Sequence, residues 1–551
     1  MSEKRNIAVM PDTHVVSNQV PPLVDYNPAN SPVLMEALIR EGGQWGVDEV
    51  TELGAIAASA TAQRWGDLAD RNRPILHTHD QYGSRIDEIE YDPAYHELMR
   101  TAITHGLHGA PWADERPGAH VVRAAKMSVW NPEPGHLCPI SMTYAAVPAL
   151  RHNPELARVY EPALTSRVYD PELKAPEMKA GITAGMSMTE KQGGSDVRSG
   201  TSRAVPNADG SYTLTGHKWF TSAAMSDVYL VLAQAPGGLS CFFLPKVLPD
   251  GNRNRMFIQR LKNKLGNHAN ASSEIEYDGA TGWLVGAEGR GVPTIIEMVN
   301  MTRLDCTLGS ATSMRQGLAM ATHHVAHRKA FGAYLIDQPL MRNVIADLAV
   351  EAEAATIVAM RMAGATDAAT RGHEREALLR RIGLAASKYW VCKRATPHAA
   401  EAMECLGGNG YAEESRMPRL YREAPLMGIW EGSGNVSALD ALRAMTTHPD
   451  CVEVLFDELS TTAGQDSRLD AHVDRLRAGL ADVPTLEFRG RKVAEGISLA
   501  LQGSLLVRHG HPAVTEAFLA TRMAGDWGAA FGTLPSGLDV GPIIERAMVK
   551  G

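Results

Sequence analysis

A carboxylate set in a glycine-rich loop beside an indole is the first place in this sequence where residue types and spacing suggest chemistry. Glu431 lies in Gly428-Ile429-Trp430-Glu431-Gly432-Ser433-Gly434, just ahead of a helical pattern. An apolar setting disfavours the charged carboxylate and raises its pKa toward the working pH, which is what a general base needs. Two segments upstream offer ligand-binding chemistry. Gly185 to Val197 reads GMSMTEKQGGSDV, where the Gly193-Gly194-Ser195 turn lets backbone N–H groups approach a phosphate and Ser195 adds a hydroxyl. Most such turns bind nothing, so the turn alone decides little. In Gly216-His217-Lys218-Trp219-Phe220-Thr221-Ser222 a large flat side chain is followed two residues later by a hydroxyl, a pattern able to cover a planar ring and bond to its edge. Read alone, an ordinary strand with a core Trp explains that segment equally well.

Other site chemistries find no support. The nearest approach to a dinucleotide fingerprint, Gly432, Gly434 and Ser437, lacks the third glycine and follows no strand pattern, which argues against a Rossmann domain. The sequence holds no Gly-Lys-Ser/Thr of a P-loop and no Gly-x-Ser-x-Gly elbow. His323 and His327 stand at i,i+4 with no Glu between them, so a solvated helix face is the expectation and no metal is assigned.

The elements that must position these residues follow from periodicity. Residues 1–33 are rich in Pro, Asn and Asp and read as an extended arm, ordered only by packing on something else. Residues 34–180 place apolar side chains three and four apart and form an N-terminal helical domain, divided into short helices by prolines such as Pro139, Pro148 and Pro154. Residues 181–291 change to short or alternating apolar runs broken by Gly, Asn and Asp, a central, mainly antiparallel β-domain. Residues 292–447 carry three long helical patterns and a shorter fourth, a helical bundle, and residues 448–551 form an additional C-terminal helical block. The fold class is α+β and multidomain.

The 551 residues supply ample material to enclose a large ligand. A net charge of −9 disfavours broad attachment to nucleic acid or anionic membrane. Six dispersed cysteines read as reduced and buried. No signal-peptide pattern or long apolar span occurs, so the expected location is the cytoplasm, away from membranes.

The ordered set Met188 to Val197, Gly216 to Phe220, Lys264 to Asn267, Met301 to Cys306, Gln338 to Arg342, Arg419 to Glu423 and Ile429 to Asn435 resembles the acyl-CoA dehydrogenase superfamily, and most closely its AidB-like, alkylation-response branch. The resemblance runs from about Leu34 to Met445, and the extra C-terminal block fits that branch. It implies the acyl-CoA dehydrogenase-like fold with bound FAD. By the same resemblance Met188, Thr189, Gly194 and Ser195 hold the flavin edge and pyrophosphate. Trp219 and Phe220 pack at the ring and Thr221 bonds the nitrogen that accepts hydride. Arg328 and Phe331, from Arg-x-x-Phe-Gly, reach with Gln338 to the FAD of a neighbouring subunit, which implies a homotetramer. Glu404, Gly407 and Gly408 match a family turn on the adenine side, although Glu404 stands where the family has Gln and cannot donate as an amide does. Trp430, Ser433 and Asn435 border the dinucleotide, with Ser433 and Asn435 replacing Thr and Gln.

Glu431 falls at the position that takes the proton α to a thioester, while Thr302 occupies the family's other base position and cannot serve there. Arg303 is expected beside the substrate carbonyl or anchoring the Glu431 loop, with a bundle salt bridge as the equal alternative. The implied reaction is FAD-dependent α,β-dehydrogenation of an acyl-CoA-like thioester, with an electron-accepting flavoprotein as the type of redox partner. The other reading the branch brings is a flavin-containing DNA-binding damage-response protein. Residues 448–551 hold 10 Lys and Arg against 14 Asp and Glu, the wrong sign for counterion-release binding, so DNA is not the favoured partner. The C-terminal block is expected to serve subunit or partner packing.

Overall fold

The computed structural model of the protein describes residues 13–549. The N-terminal region holds α1 (Pro32–Leu38), α2 (Val47–Ala58), α3 (Ala60–Arg71), the hairpin β1 (Ile75–His79) and β2 (Arg85–Glu90), then α4 (Pro93–Thr104), α5 (Ala119–Val129), α6 (Leu137–Leu150) and α7 (Pro154–Thr165). The hairpin interrupts a stretch read from the sequence as helical. Its signal was present: Asp80 accepts from the N–H groups of Tyr82 and Ser84, forming the turn that reverses the chain between two short alternating runs. The prolines also divide the region less than expected. Pro139 and Pro148 both lie inside α6, near its ends. Pro139 falls in the first turn, where no intrahelical N–H bond is lost.

The central domain contains β3 (Ala184–Ser187), β4 (Arg203–Pro206), β5 (Tyr212–Thr221), β6 (Val228–Ala235), β7 (Gly238–Pro245), β8 (Met256–Leu261) and β9 (Ser273–Val285). Six of the pairings are antiparallel, and β6 runs parallel to both β3 and β4. Because β5 pairs with β9 as well as with β4, the sheet closes on itself, which removes most free edges. β6 explains why one run is apolar without alternation: Tyr229, Val231 and Ala233 face the interior of the sheet, while Val228, Leu230 and Leu232 face a second core shared with α6 and the bundle.

The bundle comprises α8 (Gly291–His327), the small hairpin β10 (Lys329–Ala330) and β11 (Ala333–Tyr334), α9 (Pro339–Thr370), α10 (Glu374–Glu404), α11 (Met417–Met427) and α12 (Gly434–Thr447). α8 is buried along most of its length, with Arg303 and Asp305 among its buried residues. The last region adds α13 (Asp450–Ser460), α14 (Ser467–Ala481), α15 (Gly490–His509), α16 (Pro512–Phe518) and α17 (Gly541–Ala547). It packs into its own chain. Ala494, Ile497 and Leu501 of α15 join the core containing α9 and α10, and buried Arg522 pairs with Asp347 at 2.6 Å and Glu351 at 3.0 Å, both on α9.

The described part of the N-terminal arm also packs on its own chain. Asn18 bonds the backbone of Lys329 in both directions, and the carbonyl of Pro21 lies 2.8 Å from His323 Nε2 on α8.

Candidate functional site

Glu431 occupies a bend between α11 and α12 at φ +57°, a left-handed conformation that costs a non-glycine residue roughly 1–2 kcal/mol. Three cationic contacts hold it there. Lys388, buried on α10, donates to the carbonyls of Trp430, at 2.9 Å, and Gly432. Arg303 Nε donates to the Glu431 carbonyl at 3.1 Å, and its Nη1 pairs with Asp440 on α12 at 2.6 Å. Arg381 completes that cluster on Asp440. Backbone strain held by surrounding groups marks sites of function more often than loops at random.

The side chain of Glu431 faces a slot of about 60 Å³ between α6 and α8, lined among others by Leu137, Cys138, Met142, Leu308, Met427 and Trp430. Burial there pushes its carboxyl above the ordinary value, against the pull of the Thr302 hydrogen bond and of Lys388 and Arg303. Thr302 Oγ1 lies 2.7 Å from Glu431 Oε2. A polarised carboxylate in an apolar slot, fixed at one oxygen, is arranged to accept a proton from a bound molecule.

Two of the residues holding Glu431 escaped the sequence reading: Lys388 and Asp440. Each is a lone charge inside a short, otherwise uncharged helical run, Gly383 to Val391 and Ser437 to Leu442, and that contrast was the available signal. Arg303 anchors the loop and forms the bundle ion pair, joining two of the readings open to it; it is 4% exposed, which leaves it shielded from a ligand's carbonyl.

The ring-binding candidates assemble on the β-domain. Trp219 N donates to the Thr189 carbonyl at 2.8 Å, so the Met188 to Ser195 segment and the end of β5 lie side by side. A Cβ at Gly194 would fall 2.7 Å from Thr189 Oγ1, so only glycine lets the turn close onto Thr189. Ser195 and Phe220 are exposed and Trp219 is half-buried. Thr221 differs from expectation: its hydroxyl is buried and lies 2.5 Å from Ser187 Oγ. The neighbouring Ser222 is the hydroxyl that adjoins Cys138 in the Glu431 slot. Met188 and Trp430 pack against the same apolar cluster, joining the β-domain segment to the base loop.

Comparison with known proteins identifies the family. The model described as the adaptive response protein AidB N-terminal domain matches residues 18–171, the acyl-CoA dehydrogenase middle domain matches residues 185–280, and the acyl-CoA dehydrogenase C-terminal domain matches residues 289–446. AidB of Escherichia coli (strain K12) is 44% identical over 510 residues, covering 92% of this chain and 94% of its own. The chain belongs to the acyl-CoA dehydrogenase family. The resemblance read from its motifs is thereby borne out, as is the fold class. Acyl-CoA dehydrogenase family member 11 of Caenorhabditis elegans is 30% identical over 82% of this chain and 78% of its own. The crystal structure of Caenorhabditis elegans ACDH-11 in complex with C11-CoA superposes with a TM-score of 0.82 at 27% identity, covering 92% of each chain. The Bd2924 apo-form superposes with a TM-score of 0.81, also at 27% identity, over 90% of this chain and 100% of the other.

In this acyl-CoA dehydrogenase family member the remaining candidates form two outlying groups. Arg328, Phe331 and Gln338 gather at the α8–α9 connection, where Phe331 is fully exposed at φ +52° and Gln338 Nε2 donates to the Ala330 carbonyl at 3.3 Å. Arg328 is held by the Asn18 carbonyl. Glu404, Gly407 and Gly408 are exposed at the end of α10, and a Cβ on either glycine would meet open space. Ser433 is the N-cap of α12 with no side-chain cap bond, and Asn435 accepts from Arg491 of α15 at 2.7 Å. No hydrogen bond among the described residues links either outlying group to the Thr189–Trp219 pair.

The site has features suited to a flavin dinucleotide. Trp430 Nε1 is a buried donor with no partner, Trp219 and Trp430 offer flat surfaces, and Ser195 with its glycine pair leaves donors exposed. Asp70, Glu133 and Glu423 form the one acidic trio close enough to share an ion among the described residues. Its carboxylates already have partners: Glu133 accepts from the N–H groups of Gly135 and His136, Glu423 from Asn267, and Asp70 faces His268 at 3.0 Å. Among the described residues no helix is long and apolar enough to cross a membrane.

Proposed function

We propose that this protein is an FAD-dependent acyl-CoA dehydrogenase in which Glu431 removes the proton α to the thioester carbonyl. The observation that carries this reading is the Glu431 carboxyl, raised by burial, fixed by Thr302 and facing an apolar slot. FAD, when bound, would supply the acceptor for the hydride that leaves the β-carbon. The chain's own part is to place the substrate and handle the proton. The slot between α6 and α8 takes the acyl chain and excludes water, so the α-carbon meets a carboxylate of heightened basicity. The proton comes to rest on the Glu431 carboxyl. Lys388 and Arg303 act as positioning residues by fixing the backbone on both sides of the base.

Met188, Thr189, Gly194, Ser195, Trp219 and Phe220 form the proposed flavin surface, with Thr221 buried behind it against Ser187, Trp430 at its edge and Ser433 and Asn435 along the dinucleotide. Arg328, Phe331 and Gln338, with the turn of Glu404, Gly407 and Gly408, complete the FAD site of a neighbouring subunit in a homotetramer. Support comes from the exposure of Phe331 and of Leu340, at 100% and 82%, which leaves apolar surface that a subunit contact would cover. The binding of C11-CoA by ACDH-11, a relative of the same overall shape, supports an acyl-CoA as substrate. The DNA-binding reading gains no such support. Arg468, Arg489, Arg508, Arg522 and Arg546 of the C-terminal region are all engaged in ion pairs within the chain.

The test is anaerobic mixing of the FAD-loaded protein with a panel of acyl-CoA thioesters. Bleaching of the flavin by at least one saturated thioester, with the 2-enoyl product recovered, is expected. A flavin left oxidised by every chain length would refute the reading.

A further inference from the structure

Beyond the slot at Glu431 lies a much larger space. A partly open chamber of about 530 Å³ lies between the N-terminal arm and the second half of α8. Asn131 and Thr312 line both the chamber and the slot, so the two spaces share a wall. Asn131 Nδ2 donates to Gln316 Oε1 at 2.9 Å at this partition. An acyl chain that outgrew the slot on this side would meet that shared wall.

The chamber carries an unneutralised cation. Arg315 lines it, with Nη2 donating to the Ser128 carbonyl at 2.6 Å and Nη1 buried without a hydrogen-bond partner. Among the described residues no carboxylate lies within ion-pairing distance of Arg315. Arg416, also in the lining, is paired with Asp67, and Glu414 is exposed. Burial pushes the Arg315 guanidinium down to about 10, against a weaker opposing pull from the Tyr26 phenol. A cation so placed is costly until an anion reaches it.

We infer that this chamber receives the far end of the acyl chain and selects one that ends in a carboxylate, an ω-carboxyacyl thioester, with Arg315 as its anchor. The inference rests on the proposed dehydrogenase reading for its choice of substrate. Thr302 marks the base end of the path and Arg315 the far end, a span of about 20 Å along α8 at 1.5 Å per residue. An extended chain advancing roughly 1.2 Å per bond covers this with on the order of 12 to 16 carbons, allowing for the reach of the Arg side chain. The slot's apolar wall suits the methylenes, and the partition at Asn131 and Gln316 suits the change to a polar end.

The experiment compares the mono-CoA thioester of hexadecanedioic acid with hexadecanoyl-CoA on the FAD-loaded protein. The wild type should favour the ω-carboxyl compound in kcat/KM by about tenfold or more, as expected for one charge-assisted contact. Arg315→Gln should bring that ratio to about one, and Arg315→Lys, which keeps the charge, should retain most of it. Calorimetric binding of hexadecanedioate and hexadecanoate gives a readout independent of turnover and should show the same ranking. A wild-type ratio at or below one, or a preference that Arg315→Gln leaves unchanged, overturns the inference. If neither thioester reduces the flavin while hexadecanedioate still binds in an Arg315-dependent way, the dehydrogenase reading falls and the anion-selective chamber stands.

Discussion

Replacing Thr302 with Val removes one hydrogen bond from Glu431 while keeping the side chain's shape. Thr302 Oγ1 lies 2.7 Å from Glu431 Oε2, and this contact holds the carboxyl below the level burial alone would impose. Hydrogen bonds to charged groups are worth about 1.5–3 kcal/mol. The lower end applies here for two reasons. Thr302 has a single hydrogen and a second acceptor, the Val299 carbonyl at 3.0 Å. A protonated Glu431 could also donate back to Thr302, preserving part of the contact in the neutral state. About 1.5 kcal/mol corresponds to a roughly tenfold smaller fraction of ionised Glu431 on the acid side of its titration. The sign is definite: the acid limb of kcat/KM against pH should move to higher pH. Flavin reduction should fall about tenfold below the limb and little above it. Anaerobic stopped-flow reduction measured across pH 5–9 tests this, and Thr302→Ser should behave as the parent. A Thr302→Val profile superimposable on the parent would show that Thr302 does not set the ionisation of the base, or that Glu431 is not the base.

Glu431→Gln should retain FAD and lose about 10²- to 10⁴-fold in flavin reduction, the usual contribution of a general base; absorbance of the bound flavin and single-turnover rates check both halves. Arg328→Ala should weaken FAD retention and shift light scattering toward smaller assemblies, since the proposed contact spans subunits; unchanged affinity and mass would remove Arg328 from that role. Burial and Glu133 push the Glu423 carboxyl up to about 7, so the folded state holds its proton more tightly than the unfolded chain. This group's stabilising contribution is fully present below about pH 4.5 and is lost as pH rises through 7. Glu423→Gln should therefore flatten that decline, by on the order of 3 kcal/mol, in urea titrations at pH 5 and 8. Arg522→Ala should destabilise by about 3 kcal/mol by leaving Asp347 without its cation, while Glu351 keeps Arg394 at 3.0 Å, read as a lower unfolding temperature.

Much of this molecule was legible in local patterns. The three long bundle helices, the apolar runs of the β-domain and the loop around Glu431 each follow from side-chain periodicity or glycine placement, which act over a few residues. The β1–β2 hairpin was not read because its alternation is short and half polar, so helical texture on both sides outweighed it. The closure of the sheet was likewise invisible, since it depends on β5 pairing with β9 across more than fifty intervening residues.

The site divides along the same line. Sequence by itself placed an acid in a glycine-rich loop, a Trp two residues before a hydroxyl, and a glycine pair before a serine. Only the tertiary structure decided what those groups do: it turned the Thr221 hydroxyl inward to Ser187, spent Arg303 on Asp440, and set Lys388 beneath the Glu431 loop. It also brought Thr302 to Glu431 from 129 residues away and opened a chamber beside Arg315. The physical reason is that hydrogen-bond partners and desolvation are properties of the packed neighbourhood, and neighbours distant in sequence supply most of both.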